Sequence, residues 1–241
     1  MLSRLARITC LALVLFAGPA RAGDLADFNA AVEQAESHNR VAIGYLRTGN
    51  IDLASLEFDR LREAWNALQQ RFAGKRPDAF DGVALYGQMW TKVSARLVAA
   101  DMMLTSGRPE AAQQSLEAIR GDLYDLRKSA GIAVLADCLR DANAAIDALM
   151  AYNDRSLDWS NAATPFGIAS KAAIYGAVLD RCDGMAGEAV HQAPEFRRLI
   201  DGAKASLTFI PKAVADRDTD LLHRVLIELR SFDKLLTFRY G

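Results

Sequence analysis

Apolar residues recur at intervals of three and four along almost the whole chain, and no stretch alternates strictly between apolar and polar. That spacing lines one face of an α-helix and offers nothing to a half-buried strand. Turn residues punctuate it. The pattern predicts a first helix from about Asp24 to Arg47, ended by Thr48-Gly49-Asn50, and a second from Asp52 to about Phe72, ended by Gly74-Lys75-Arg76-Pro77. A third runs from about Phe80 to Leu104 and closes at Ser106-Gly107. The fourth opens on Pro109, whose fixed φ suits a first turn, and runs to about Lys128. Gly131 marks the next joint, and a fifth helix spans about Ala133 to Asn153. Residues 154–164, with Asp154, Ser156, Asn161 and Thr164 ahead of Pro165, form the longest polar linker. Beyond it the pattern predicts helices from Phe166 to Cys182, from Pro194 to about Ala215 with a kink at Pro211, and from Thr219 to Tyr240. The expectation is an all-α helical bundle of about eight helices in antiparallel hairpins. The linker divides it into an N-terminal part, 23–153, and a C-terminal part, 165–241, either as one compact unit or as two four-helix parts.

Three helix starts share a pattern. Gly49-Asn50-Ile51-Asp52-Leu53-Ala54 leads to Phe58, Leu61 and Arg62; Gly107-Arg108-Pro109-Glu110-Ala111-Ala112 leads to Leu116, Ile119 and Arg120; Arg217-Asp218-Thr219-Asp220-Leu221-Leu222 leads to Leu226, Leu229 and Arg230. In the first two a glycine permits a left-handed helix cap, and in all three an acid sits in the next first turn. With Tyr45, Gly49, Asp52, Ala54 and Phe58 in its places, the first copy resembles the hairpin of tetratricopeptide repeats, and the second is similar. The copies do not follow the roughly 34-residue period of such an array, and Arg217 and Leu222 replace the glycine and the alanine in the third. The stretches Tyr45-Leu46-Arg47-Thr48-Gly49-Asn50, Pro194-Glu195-Phe196-Arg197-Arg198-Leu199-Ile200 and Leu229-Arg230-Ser231-Phe232-Asp233 resemble segments of exported bacterial helical proteins of unassigned function. That resemblance implies a compartment and no chemistry.

The first residues carry their own pattern. Arg4 and Arg7 precede an apolar run from Ile8 to Ala17, then Gly18-Pro19 and the small-x-small tripeptide Ala20-Arg21-Ala22. This is the layout of a signal peptide, 1–22, cleaved after Ala22. The run falls short of the roughly 20 apolar residues of a membrane span. The expected destination is periplasmic or secreted, with no transmembrane span after cleavage. Cleavage removes Arg4, Arg7 and Arg21 and no acid, so the 29 basic and 30 acidic residues of the whole chain become 26 and 30, and the net charge moves from −1 to −4. That balance gives no electrostatic reason to bind nucleic acid.

Two cysteines survive cleavage, Cys138 and Cys182. An even pair in an oxidising compartment points to a disulfide. If helices five and six form an antiparallel hairpin turning near residue 159, the cysteines lie about 21 and 23 residues from the turn and differ in height by only about 3 Å. The competing arrangement is two separate buried thiols.

Other candidates stand beside plainer explanations. Glu188-x-x-His191 and Asp220-x-x-His223 have the spacing by which helical bundles hold metals. The plainer explanation is solvated surface histidines, with Asp220 complementing a helix dipole. Met89, Met102 and Met103 are candidate haem ligands, although methionine at helical spacing fills cores and the chain has no Cys-x-x-Cys-His for covalent attachment. Trp159 is an aromatic in the polar linker, a partner contact or a lid over the core. Arg120, Arg127 and Lys128 are expected on a solvated helix face, and Asp137, Arg140 and Asp141 beside Cys138 are placed to make exposed pairs with Asp180, Arg181 and Asp183 at the same bundle end. Gly-x-Ser-x-Gly, Gly-x4-Gly-Lys-Ser/Thr, Gly-x-Gly-x-x-Gly and His-Glu-x-x-His do not occur. The expected function is therefore non-catalytic: a periplasmic binding or adaptor protein that meets a protein partner through helix faces and needs no cofactor. The competing expectation is a helical bundle that holds a metal or haem.

Overall fold

The computed structural model describes residues 22–241 in backbone and residues 24–241 in side chains. The expected signal segment lies outside these residues, except for Ala22, which opens the first helix. The elements are α1 (Ala22–Arg47), α2 (Ile51–Phe72), a 3-10 turn (Asp78–Phe80), α3 (Ala84–Thr105), α4 (Pro109–Ser129), α5 (Leu135–Met150), α6 (Ala163–Met185), α7 (Glu188–His191), α8 (Pro194–Leu207), α9 (Ile210–Asp216) and α10 (Thr219–Tyr240). No strand occurs among the described residues. The fold is all-α, with α1·α2, α3·α4 and α5·α6 packed as antiparallel pairs.

Two boundaries differ from the expected ones for backbone reasons. The third helix begins at Ala84, because Gly82 takes φ 73° after Phe80 is buried in the 3-10 turn. The single kinked helix expected over 194–215 is two helices. Pro211 has no N–H to give the Leu207 carbonyl, and α8 ends at Leu207.

One cap geometry recurs four times. Asn50 donates its N–H to the Tyr45 carbonyl (2.9 Å), Arg108 to Met103 (2.8 Å), Ile132 to Arg127 (2.9 Å) and Asp218 to Ala213 (2.9 Å). Each is the six-to-one bond of a Schellman turn, with the residue before the donor in the left-handed region. Gly49, Gly107 and Gly131 occupy that place in three turns, and Arg217, at φ 52°, occupies it in the fourth. The likeness noticed among the helix starts is thus a likeness of caps.

Two separate cores are buried. The first gathers Phe28, Val32, Phe58, Trp65, Phe72, Phe80, Tyr86 and Trp90 with aliphatics of α1 to α4, ending at Leu126. Its aromatic rings meet edge to face, Phe28 on Phe72 at 5.4 Å and on Phe80 at 5.2 Å. The Tyr86 hydroxyl donates to the Phe72 carbonyl (2.7 Å), and burial pushes its pKa up to about 12. The second core begins at Cys138 and runs to Leu236, built from α5, α6, α8, α9 and α10.

The division between the cores therefore falls between α4 and α5, near Gly131, and not at 154–164. The apolar face of α5 is buried against α6 and α10. The polar stretch 154–164 is a connection inside the second half. Its side chains satisfy it locally: Asp154 accepts from the Ser156 N–H (2.8 Å), Asp158 from the Ser160 N–H (2.9 Å) and Asn161 from the Ala163 N–H (2.9 Å).

Cys138 and Cys182 form a disulfide, with Cα atoms 5.4 Å apart. It joins α5 to α6 at the end of the second core nearest the first.

Candidate functional site

Where the two halves meet, α1 and α4 of the first half face the start of α5, the segment after α6 and the end of α10. Between them lies a cavity of about 580 Å³. That volume is in the range of small-molecule sites. Val32, Val134, Leu135, Met185, Val190 and Tyr240 supply most of its apolar wall. A smaller cavity of about 310 Å³ adjoins it and shares Tyr124, Ala133, Asp137 and Met185.

Most of the polar residues in this wall are ionic. Arg127, on the last turn of α4, donates to both carboxylate oxygens of Asp137, on the first turn of α5, at 2.8 and 2.6 Å. Both side chains are buried, so the pair spans the junction in a medium that strengthens it. Glu33 pairs with Arg40 at 2.5 Å. Arg40 also donates to the carbonyl oxygens of Gly241 (2.8 Å) and Arg239 (3.2 Å), fastening α1 to the end of α10. Gly241 fits closely there: a Cβ on it would stand 2.7 Å from the Thr237 carbonyl and 3.0 Å from Arg120 Nη2.

Four further charges remain. Glu36 is buried and accepts one hydrogen bond, from Asn39 at 3.2 Å. Burial pushes its pKa up, against the opposing fields of Arg120, Arg40 and Arg127. Burial also loosens the hold of Arg120 on its proton, against the field of Glu36. Arg140 lies over the Tyr124 ring at 4.2 Å and Lys128 over the same ring at 5.5 Å. Among the described residues, Arg120, Lys128 and Arg140 have no ion pair to an acid.

The solvated face expected for Arg127 and the exposed pairing expected for Asp137 are thus corrected: the two are buried because each neutralises the other across the junction, while Asp141 does pair with Arg181 at 2.6 Å on the surface. Sequence reasoning passed over Glu36 and Arg40 as well. Their signal was present. They interrupt the buried stripe of α1, Phe28, Val32, Ala35, Asn39, Ile43 and Leu46, at positions where the period requires an apolar residue.

The other sequence candidates lie elsewhere. His191 approaches Asp183 at 3.4 Å, Glu188 accepts from Gln192, and His223 bonds Asn153 at 2.6 Å, while Asp220 sits in the first turn of α10. Among the described residues, no three His, Cys, Asp or Glu side chains converge as a metal set. Met89 is buried in the first core, Met103 is partly buried against it, and Met102 is exposed. Trp159 packs partly buried on the second core, and its indole N–H donates to the Thr219 hydroxyl at 2.8 Å. No described helix is long and apolar enough to cross a membrane. Comparison with protein-family models, with curated proteins and with solved structures finds no match to this chain.

Proposed function

We propose that this chain is an exported, non-catalytic binding protein whose ligand sits in the cavity between the two halves. The observation that carries this reading is the wall itself: an apolar cavity of about 580 Å³ closed across the junction by the buried Arg127–Asp137 pair, with Glu33 held by Arg40 within α1. Fixed polar groups in an apolar enclosure orient a ligand without reorganising. Export is supported by the disulfide, which fits an oxidising compartment, and by the signal-like pattern of residues 1–22.

The test uses Nile red, a neutral apolar dye, so that its outcome does not depend on charge. The disulfide-bonded protein is expected to bind it with enhanced fluorescence. Ala133→Trp, an exposed position on the rim of both cavities, is expected to abolish the enhancement without lowering the unfolding midpoint. A wild-type protein that leaves the dye dark, or an Ala133→Trp variant that binds as well, overturns the reading. A Soret band or one metal equivalent in natively purified protein would favour the cofactor-holding bundle instead.

A further inference from the structure

The cavity wall carries three acids, Glu33, Glu36 and Asp137, and three cations, Arg120, Arg127 and Arg140, but they are not paired one to one. Glu33 is committed to Arg40, and Asp137 to Arg127 through two bonds. Glu36 is the remaining acid of the wall, and it faces Arg120, Arg40 and Arg127 together. On the cationic side Arg120 lines the cavity half-buried with no acid in hydrogen-bond reach, and Arg140 and Lys128 flank Tyr124 at one side of it. A guanidinium partly withdrawn from water and left without an acceptor favours an anion supplied from outside. The apolar wall beside it favours a hydrocarbon body.

We infer that the ligand is an amphipathic monocarboxylate: its carboxylate is received by Arg120, with Arg140 and Lys128 adding long-range attraction, and its hydrocarbon chain lies along Val32, Val134, Leu135 and Val190. The inference rests on the cavity being the binding seat. Glu36 beside Arg120 sets the single charge, because its field opposes the second negative charge of a dianion.

Displacement of Nile red from the disulfide-bonded protein by three compounds with the same decyl chain tests it: decanoate, decan-1-ol and decyltrimethylammonium, each below its micelle concentration. Decanoate is expected to displace the dye at a concentration at least about tenfold lower than decanol, and the ammonium compound to be weaker than both. Arg120→Gln is expected to remove the preference, weakening decanoate about tenfold and leaving decanol unchanged. Arg140→Gln, at an exposed position, is expected to weaken decanoate about two- to threefold and provides a second reading if Arg120→Gln fails to fold. Equal displacement by decanoate and decanol, or decanoate displacement unaffected in a folded Arg120→Gln protein, overturns the carboxylate inference and leaves the cavity reading standing. Failure of Nile red to bind at all overturns both.

Discussion

The guanidinium of Arg127 and the carboxylate of Asp137 meet in a two-bond fork, and they do so across the turn that separates the two cores. Side-chain exposure is 8% for the arginine and 11% for the aspartate. Their burial is tolerable only because each completes the other. Asp137→Ala leaves a buried guanidinium without a counter-charge and is expected to cost about 3–5 kcal/mol in urea unfolding. Replacing both, as Arg127→Met with Asp137→Leu, is expected to recover most of that loss, since an apolar pair of similar size avoids the desolvation cost. A double variant no more stable than Asp137→Ala would mean that the pair contributes through something other than mutual neutralisation.

The disulfide closes a loop whose ends are 44 residues apart, which constrains the unfolded chain by about 4 kcal/mol in the chain-entropy account. The double variant Cys138→Ala, Cys182→Ala is expected to lower unfolding free energy by about that amount, with little change in helix content by circular dichroism. Alkylation of the denatured, unreduced protein is expected to find no free thiol at either position. Because α5 also lines the cavity through Leu135, Ala136 and Asp137, Nile red binding is expected to weaken alongside stability.

How much of this was legible in the sequence depends on the range of the interaction that decides each feature. The helices and their glycine-capped turns were legible, because Gly49, Gly107 and Gly131 act on their immediate neighbours. The register of Cys138 and Cys182 was legible too, because helix rise is uniform over the hairpin. The division between cores was not. The stretch 154–164 is polar because Asp154, Asp158 and Asn161 close their own turns, and polarity of that kind marks exposure, not a boundary. The cavity was not legible because its partners are distant in sequence: Arg40 reaches Gly241 across 201 positions. Composition cannot distinguish an arginine in water from one like Arg127 that is paired and buried.

Asp233 makes stability depend on pH in the direction opposite to most aspartates. Burial raises its pKa from 3.8 to about 6, with Asp147 adding to the rise and Asn143, Arg230 and Lys234 opposing it. Asn143 donates to it at 2.7 Å, and Arg230 lies at 3.7 Å while also pairing with Asp147. The folded state binds this proton more tightly than the unfolded state. The contribution is therefore fully present below pH 3.8 and is lost as pH rises through about 6. Its size is on the order of 3 kcal/mol. Asp233→Asn, which keeps an acceptor for Asn143, is expected to be more stable than wild type at pH 8 and about equal to it at pH 3.5. The difference between the two proteins in urea unfolding should grow across that window, and a flat difference would show that the Asp233 carboxyl titrates alike in both states.

Arg217 is the fourth member of a set of caps whose other three members are glycine. All four turns make the same six-to-one bond, so the backbone requirement is the same. Only Arg217 meets it with a side chain, at φ 52°, where Cβ crowds the following carbonyl at a cost of roughly 1–2 kcal/mol. The side chain is exposed and, among the described residues, has no ion pair to offset that cost. Arg217→Gly is therefore expected to raise unfolding free energy, by about 0.5–1 kcal/mol after the greater freedom of glycine in the unfolded chain is counted. The reverse change at an equivalent turn, Gly107→Arg, has open space for its Cβ but must hold φ 70° with a side chain, and is expected to lose about 1–2 kcal/mol. Opposite signs for the two variants would show that the left-handed backbone sets the choice of residue at these caps. A destabilised Arg217→Gly protein would instead show that the Arg217 side chain contributes to the fold in its own right.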